Sequence, residues 1–144
     1  MLRPFVCASE RTTALRVDRL DHLVLTVSDV DATCDFYART LGLRVVGFGR
    51  HGRRALWFGG QKINLHQQGG EFEPKSEHPT PGSADLCFVA RDGIPDVISH
   101  LENCGVEIIE GPILREGALG EMVSVYFRDP DGNLIEVSSY RKRA

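Results

Sequence analysis

The chain has 144 residues, 42% apolar and 26% charged, which is the balance of an ordinary globular domain. Its net charge of −3 gives no broad basic field for nucleic acid, and no apolar run is long enough to span a bilayer. The four cysteines, Cys7, Cys34, Cys87 and Cys104, lack any C-x-x-C spacing and so suggest neither a zinc ribbon nor a thioredoxin-type site.

Cys34, Cys87 and Cys104 fall within apolar patterns and are expected to pack as small core hydrophobes in a reducing compartment. At the N-terminus, MLRPFVCASERTTALR sets Arg3, Arg11, Arg16 and the amino group against Glu10. That balance resembles an organellar transit segment, but it suits a flexible tail over residues 1–17 equally well. A cytoplasmic protein is expected, with a mitochondrial address as the alternative.

The first element, LDHLVLTVSD, alternates. Leu23, Leu25 and Val27 point one way, and His22, Val24 and Thr26 the other, which predicts a strand with one apolar face. Next comes VDATCDFYARTLG, with Val30, Cys34, Tyr37 and Leu41 on one helical stripe. Ser28 or Asp29 can cap its start and Gly42 can end it. Three strand-like runs complete the unit: LRVVGFG, RRALWFG and KINLHQQ, the last two joined through FGGQK.

A Gly- and Pro-rich crossover follows, QGGEFEPKSEHPTPGS, and then the order repeats. ADLCFVA places Leu86 and Phe88 on one face and Asp85, Cys87 and Val89 on the other. IPDVISHLENCG carries Ile94, Val97, Ile98 and Leu101 at helical spacing, with Pro95 in the first turn and Gly105 at the stop. VEIIE, EMVSVYFRD and NLIEVSS read as strands, EGPILREGALGE as an interrupting loop, and DPDGN as a tight turn. The expected architecture is α+β: two β-α-β-β-β modules in a curved mixed sheet with helices outside. One domain is expected over 18–141, built from module one (18–68), a linker (69–82) and module two (83–140).

The pleat also sorts the chemistry. Ile63, Leu65, Val123, Val125, Phe127, Ile135 and Val137 continue the helix-packing face. His22, Asn64, His66, Asp85, Ser124, Tyr126, Glu136 and Ser138 gather on the opposite one. Burying such groups without partners costs about 1–3 kcal/mol for each neutral one and more for ions. A metal ion with its water would satisfy them.

Those paired modules, with LDHLVLTVSDVDATCDFYARTLGL at the front and YFRDPDGNLIEVS at the back, resemble the vicinal-oxygen-chelate superfamily. That superfamily contains glyoxalase I, fosfomycin-resistance enzymes, extradiol dioxygenases, methylmalonyl-CoA epimerase and bleomycin-binding proteins. The stretches FGGQKINLH, FEPK and PTPGSADLCF are similar, more narrowly, to the short glyoxalase-domain-containing-protein-5 group. The resemblance runs from about Arg19 to Tyr140.

It implies a divalent transition metal (Zn, Ni, Mn, Co or Fe) held by residues of the first and fourth strands of each module. His22 and Glu136 fall at two such positions. His66 is preferred on the fourth strand of module one because imidazole is the better transition-metal ligand, with Asn64 as the alternative. Asp85 stands where many relatives carry histidine. Glu136 is the candidate base, with Asp85 second, and Tyr126, Ser124, Arg115 and Asn64 are candidate substrate contacts. Arg115 is expected on a Gly-rich loop that closes over the cup.

In such a site adjacent substrate oxygens chelate the metal while a carboxylate moves a proton. The expected activity is that of a metal-dependent glyoxalase-like lyase or isomerase acting on a small oxygenated metabolite. Two histidines and a carboxylate also suit an extradiol-type dioxygenase, although a further catalytic histidine near the metal has no counterpart here. A metal-free binding protein of the bleomycin-resistance kind is the third reading. The resemblance further implies a homodimer with modules paired across chains, while the charge and hydropathy of the chain lead to the expectation of neither a nucleic-acid nor a membrane partner.

Overall fold

A computed structural model describes residues 14–141. Module one runs β1 (His22–Val27), α1 (Val30–Leu41), β2 (Arg44–Phe48), β3 (Arg53–Phe58) and β4 (Gln61–Gln67). Module two runs β5 (Asp85–Val89), α2 (Ile94–Asn103), β6 (Glu110–Gly117), β7 (Gly120–Arg128) and β8 (Leu134–Tyr140). Each module closes a four-stranded sheet, β1-β4-β3-β2 or β5-β8-β7-β6. The first strand pairs parallel with the fourth, and the remaining pairs are antiparallel. The α+β architecture is the expected one. The N-terminal reading falls largely on residues 1–13, outside the described residues.

Local chemistry sets the helix ends. The Asp29 carboxylate accepts from the Ala32 amide at 3.0 Å, with Asp31 in the first turn and Arg39 in the last, which suits the helix dipole. Gly42, at φ 65°, turns the chain out of α1 in a left-handed conformation that a side chain would resist. α2 has Pro95 in its first turn instead of a side-chain cap.

Apolar residues of both modules form one core. Leu25, Leu56, Ile63 and Leu65 of sheet one join Val125, Phe127, Ile135 and Val137 of sheet two, with Cys34, Tyr37, Val97 and Leu101 from the helices. The DPDGN turn ties the modules together through polar contacts. Asp129 is buried and accepts from the Tyr37 hydroxyl at 2.7 Å, the amides of Asp131 and Asn133 at 2.9 Å each, and the Asn133 side chain at 2.8 Å. Burial pushes the Tyr37 phenol strongly up, and the neighbouring Asp129 carboxylate adds to the shift, so the hydroxyl remains a donor. Asp131 in turn accepts from the Ser28 amide at 3.2 Å.

Three expectations fail. VEIIE contributes only its last residue to a strand, because residues 106–109 lie outside β6. The supposed loop EGPILREGALGE is instead mostly β6 and its hairpin. A bulge between Glu110 and Ile113, with Gly111 at φ 109°, accommodates the Gly-Pro pair that reads as a loop signal. Among the described cysteines, only Cys34 is a buried core residue. Cys87 is exposed on the concave side, and Cys104 contacts the Arg39 carbonyl and His100 at the surface. Among the described residues no helix is long and apolar enough to cross a membrane.

Candidate functional site

Glu136 lies on β8 with its cross-strand neighbours fixed by register, Tyr126 on β7 and Cys87 on β5. Ser124 pairs with Ser138 one step along, so four hydrogen-bonding side chains surround one carboxylate. Ser138, wholly buried, donates to Glu136 Oε1 at 3.2 Å. Its oxygen lies 2.6 Å from Ser124 Oγ and 3.2 Å from Cys87 Sγ. A hydroxyl has one proton, so with that proton on Glu136, Ser138 accepts from these two neighbours.

Burial pushes the Glu136 carboxyl up, but the Ser124, Tyr126 and Ser138 hydroxyls and the Cys87 thiol gathered around it outweigh that cost, and the net shift is downward. The site therefore holds an anion. Burial also raises the Cys87 thiol, keeping it protonated and able to donate.

Arg115 extends this network. It stands on β6, in register with Met122, and not on a mobile loop as expected. Its Nε donates to the Tyr126 hydroxyl at 2.9 Å, and its Nη2 reaches Glu110 at 3.4 Å. The Tyr126 bond is the main reason the guanidinium is held still more firmly in its charged form. The phenol is raised by burial, lowered by Arg115 and raised again by Glu136, so it stays neutral and links the cation to the carboxylate. Cys87, Arg115, Met122, Glu136 and Tyr140 line a cleft of about 310 Å³.

Sheet one carries the histidines. His22 Nδ1 lies 2.8 Å from Asp21 Oδ2, which leaves Nε2 as the outward donor atom. Asp21 was missed at the sequence level, although its place directly before His22 is a readable sign of an orienting carboxylate. His66 is buried at 6% exposure and meets the Phe72 ring edge-on at 5.6 Å. Burial and the nearby Arg53 charge lower its pKa, so the imidazole is neutral. Asn64 Oδ1 is buried with no hydrogen-bond partner. An orphaned acceptor of this kind suits a cation or an ordered water.

Register relates the modules to each other. Asn64 pairs with Val24, two residues beyond His22, just as Glu136 pairs with Cys87, two beyond Asp85. His66 pairs with Thr26, four residues beyond His22, or roughly 13 Å of strand rise. Asp85 is exposed at the start of β5. Among the described residues no three His, Cys, Asp or Glu side chains of one chain gather closely enough to hold a metal. His22, His66, Asp85 and Glu136 therefore do not converge within a single chain.

A family model described as the Glyoxalase/Bleomycin resistance protein/Dioxygenase superfamily matches residues 19–137. The chain belongs to this superfamily. Within it, the chain is 59% identical over 124 residues to virulence protein STM3117 of Salmonella typhimurium, covering 86% of this chain and 85% of that one. The crystal structure of that protein superposes with a TM-score of 0.86 over 88% of this chain and 100% of the other, at 57% identity. Glyoxalase domain-containing protein RDO1 of Mycosarcoma maydis is 59% identical over 127 residues, 88% of this chain and 71% of that protein. Lactoylglutathione lyase of Agrobacterium tumefaciens shares the fold at a TM-score of 0.67 and 24% identity, over 86% of this chain and 95% of its own.

The titrations of His66 and Glu136 carry a stability consequence. His66 has a depressed pKa, so its contribution is complete above its ordinary value of 6.5 and is lost as pH falls below that. Glu136 is depressed too, so its contribution is present above its ordinary value of 4.5 and is lost on acidification through its folded pKa. Urea midpoints should fall in two stages on acidification. His66→Gln should remove the upper stage and Glu136→Gln the lower; parallel profiles for all three proteins would contradict the assignment.

Proposed function

We propose that the chain is a metal-dependent glyoxalase-like lyase or isomerase of a small oxygenated metabolite. The observation that carries the reading is the Glu136 carboxylate, kept ionised by donated hydrogen bonds beside an open cleft. A divalent transition metal would be held by His22, Asp85 and Glu136, with the fourth donor from β4. His66 offers the softer ligand, but the register supports Asn64, whose orphaned oxygen matches the place of Glu136 in the other module. When bound, the metal would polarise adjacent substrate oxygens.

The remaining chemistry belongs to the side chains. Glu136 accepts a proton at a carboxylate oxygen, with Asp85 the second candidate. Tyr126 holds Glu136 and presents its phenol to the substrate, and Arg115 supplies a cation at the cleft wall. Ser124, expected as a substrate contact, is instead buried against Ser138 and supports Glu136 from behind. The donors belong to one site only if modules of two copies face each other. Val24, Trp57 and Val89, on the concave faces and 45, 44 and 58% exposed, are apolar surface that a second copy would cover.

Full-length protein purified without chelators should sediment as a dimer and bind one divalent transition-metal ion per site. It should turn over the methylglyoxal–glutathione hemithioacetal or a related α-hydroxycarbonyl compound. Asn64→Ala should weaken metal binding about 10–100-fold, the range typical for groups supporting a metal, with His66→Ala closer to wild type. The reverse order would return the fourth ligand to His66. A metal-free binding module is the competing reading, favoured by the lack of a three-donor cluster among the described residues of one chain. A monomer that takes up no metal on titration would establish it.

A further inference from the structure

We infer that the concave face of sheet one recognises an anionic group of the substrate, a carboxylate or a phosphate, through Arg44, Arg53 and Lys62. The inference deepens the reading of the cup as a substrate site and rests on it.

Register puts the three cations on one face. Arg44 pairs with Trp57, Trp57 with Lys62, and Lys62 with His22, forming one row across the sheet. Val46, Ala55, Asn64 and Val24 form the next row, and Phe48 pairs with Arg53 beyond it. Arg44 and Arg53 thus start on either side of the Asn64 row, and the Lys62 side chain, rooted in the first row, reaches across it to Phe48 in the third.

Each cation rests on an aromatic ring. The Arg44 guanidinium lies 5.0 Å from the Trp57 centroid, Arg53 lies 4.1 Å from Phe72, and the Lys62 ammonium lies 4.0 Å from Phe48. A ring attracts and orients a cation but carries no net charge to cancel it. Among the described residues none of the three has a carboxylate within 4.0 Å, although Arg54, the next residue after Arg53, pairs with Asp31 at 3.0 Å. The reason is compositional. None of the four strands of sheet one contains an aspartate or glutamate, while every strand of sheet two contains at least one. Charge on the two sheets is segregated, and the donors on sheet one are oriented yet unspent.

A second copy of the chain could in principle neutralise this face, but sheet two has little to offer. Of the acids on its concave side, Glu136 is engaged by its own hydrogen-bond donors and Glu110 by Arg115, which leaves Asp85 alone. One carboxylate at the start of β5 leaves most of this charge uncompensated. A small anion held among the three side chains would meet donors that no protein carboxylate occupies, through charge-assisted hydrogen bonds.

Trp57 is the only tryptophan of the chain and lies under Arg44, so its emission reports directly on the face. The full chain, stripped of metal by chelator, would be titrated with succinate and separately with inorganic phosphate, at constant ionic strength against chloride. A saturable change in emission is expected, confirmed by calorimetry, and the tighter of the two anions identifies the group. Arg53→Gln/Lys62→Gln, checked for native circular dichroism, should weaken binding at least ~10-fold, the loss of one charged hydrogen bond or more. Lys62→Arg should preserve it.

No saturable response to either anion, or a double variant binding as tightly as wild type, would overturn the inference. Metal is absent from the titration, so failure here with normal metal uptake elsewhere removes the anion assignment alone. Anion binding without metal uptake would sustain it and remove the lyase reading.

Discussion

Replacing Glu136 with glutamine should abolish most metal binding and turnover while leaving the fold intact. Glutamine matches the shape of glutamate but removes the charge and turns one acceptor into a donor. The new amide would confront the Ser138 and Tyr126 hydroxyls, which are arranged to donate. Metal affinity should fall at least ~100-fold, since a ligand is lost as well as its supporting bonds. Any residual turnover should be reduced about 10²–10⁴-fold, the usual contribution of a positioned base.

Ser138→Ala separates charge from positioning. It leaves the carboxylate but removes one donor, so metal binding should weaken far less and the pH dependence of turnover should shift to higher pH. Metal content by elemental analysis and kcat across pH measure both. Wild-type metal content and kcat in Glu136→Gln would remove Glu136 from the site.

The second large effect concerns stability. Asp129→Ala deletes a buried carboxylate that satisfies Tyr37, Asn133 and the Asp131 amide, leaving those donors without an acceptor. A loss of about 3–5 kcal/mol is expected, as when one partner of a buried charged network is removed. Against a typical domain stability of roughly 5–15 kcal/mol, that approaches unfolding at physiological temperature. Tyr37→Phe removes one bond and should cost about 1–3 kcal/mol. Urea denaturation of the three proteins measures both losses. A loss below about 1 kcal/mol for Asp129→Ala would mean that solvent replaces the network, as it does at surface sites.

This network changes the meaning of the DPDGN signature. Read as sequence, the turn serves to direct the strand bearing Glu136. In the folded chain it also anchors the modules, because Asp129 meets α1 of module one and Asp131 meets the residue before its cap. Tyr37 was legible only as part of an apolar stripe, since its partner lies 92 positions away.

The local patterns of the chain determined much by themselves. Period-two alternation and helical spacing are properties of neighbouring residues, so they gave the strands other than β6, the helices, the repeated module and the face on which His22, Asn64, Asp85 and Glu136 stand. Tertiary structure decided the rest. Strand register set His66 four residues from His22 and Asn64 only two, a distinction invisible until β1 and β4 pair. A bulge made a strand of the Gly-Pro segment, which placed Arg115 against Tyr126. Three cations came to rest on rings contributed by other segments. Such facts depend on which distant residues become neighbours, and that is settled by packing the whole chain, not by the preferences of any short stretch.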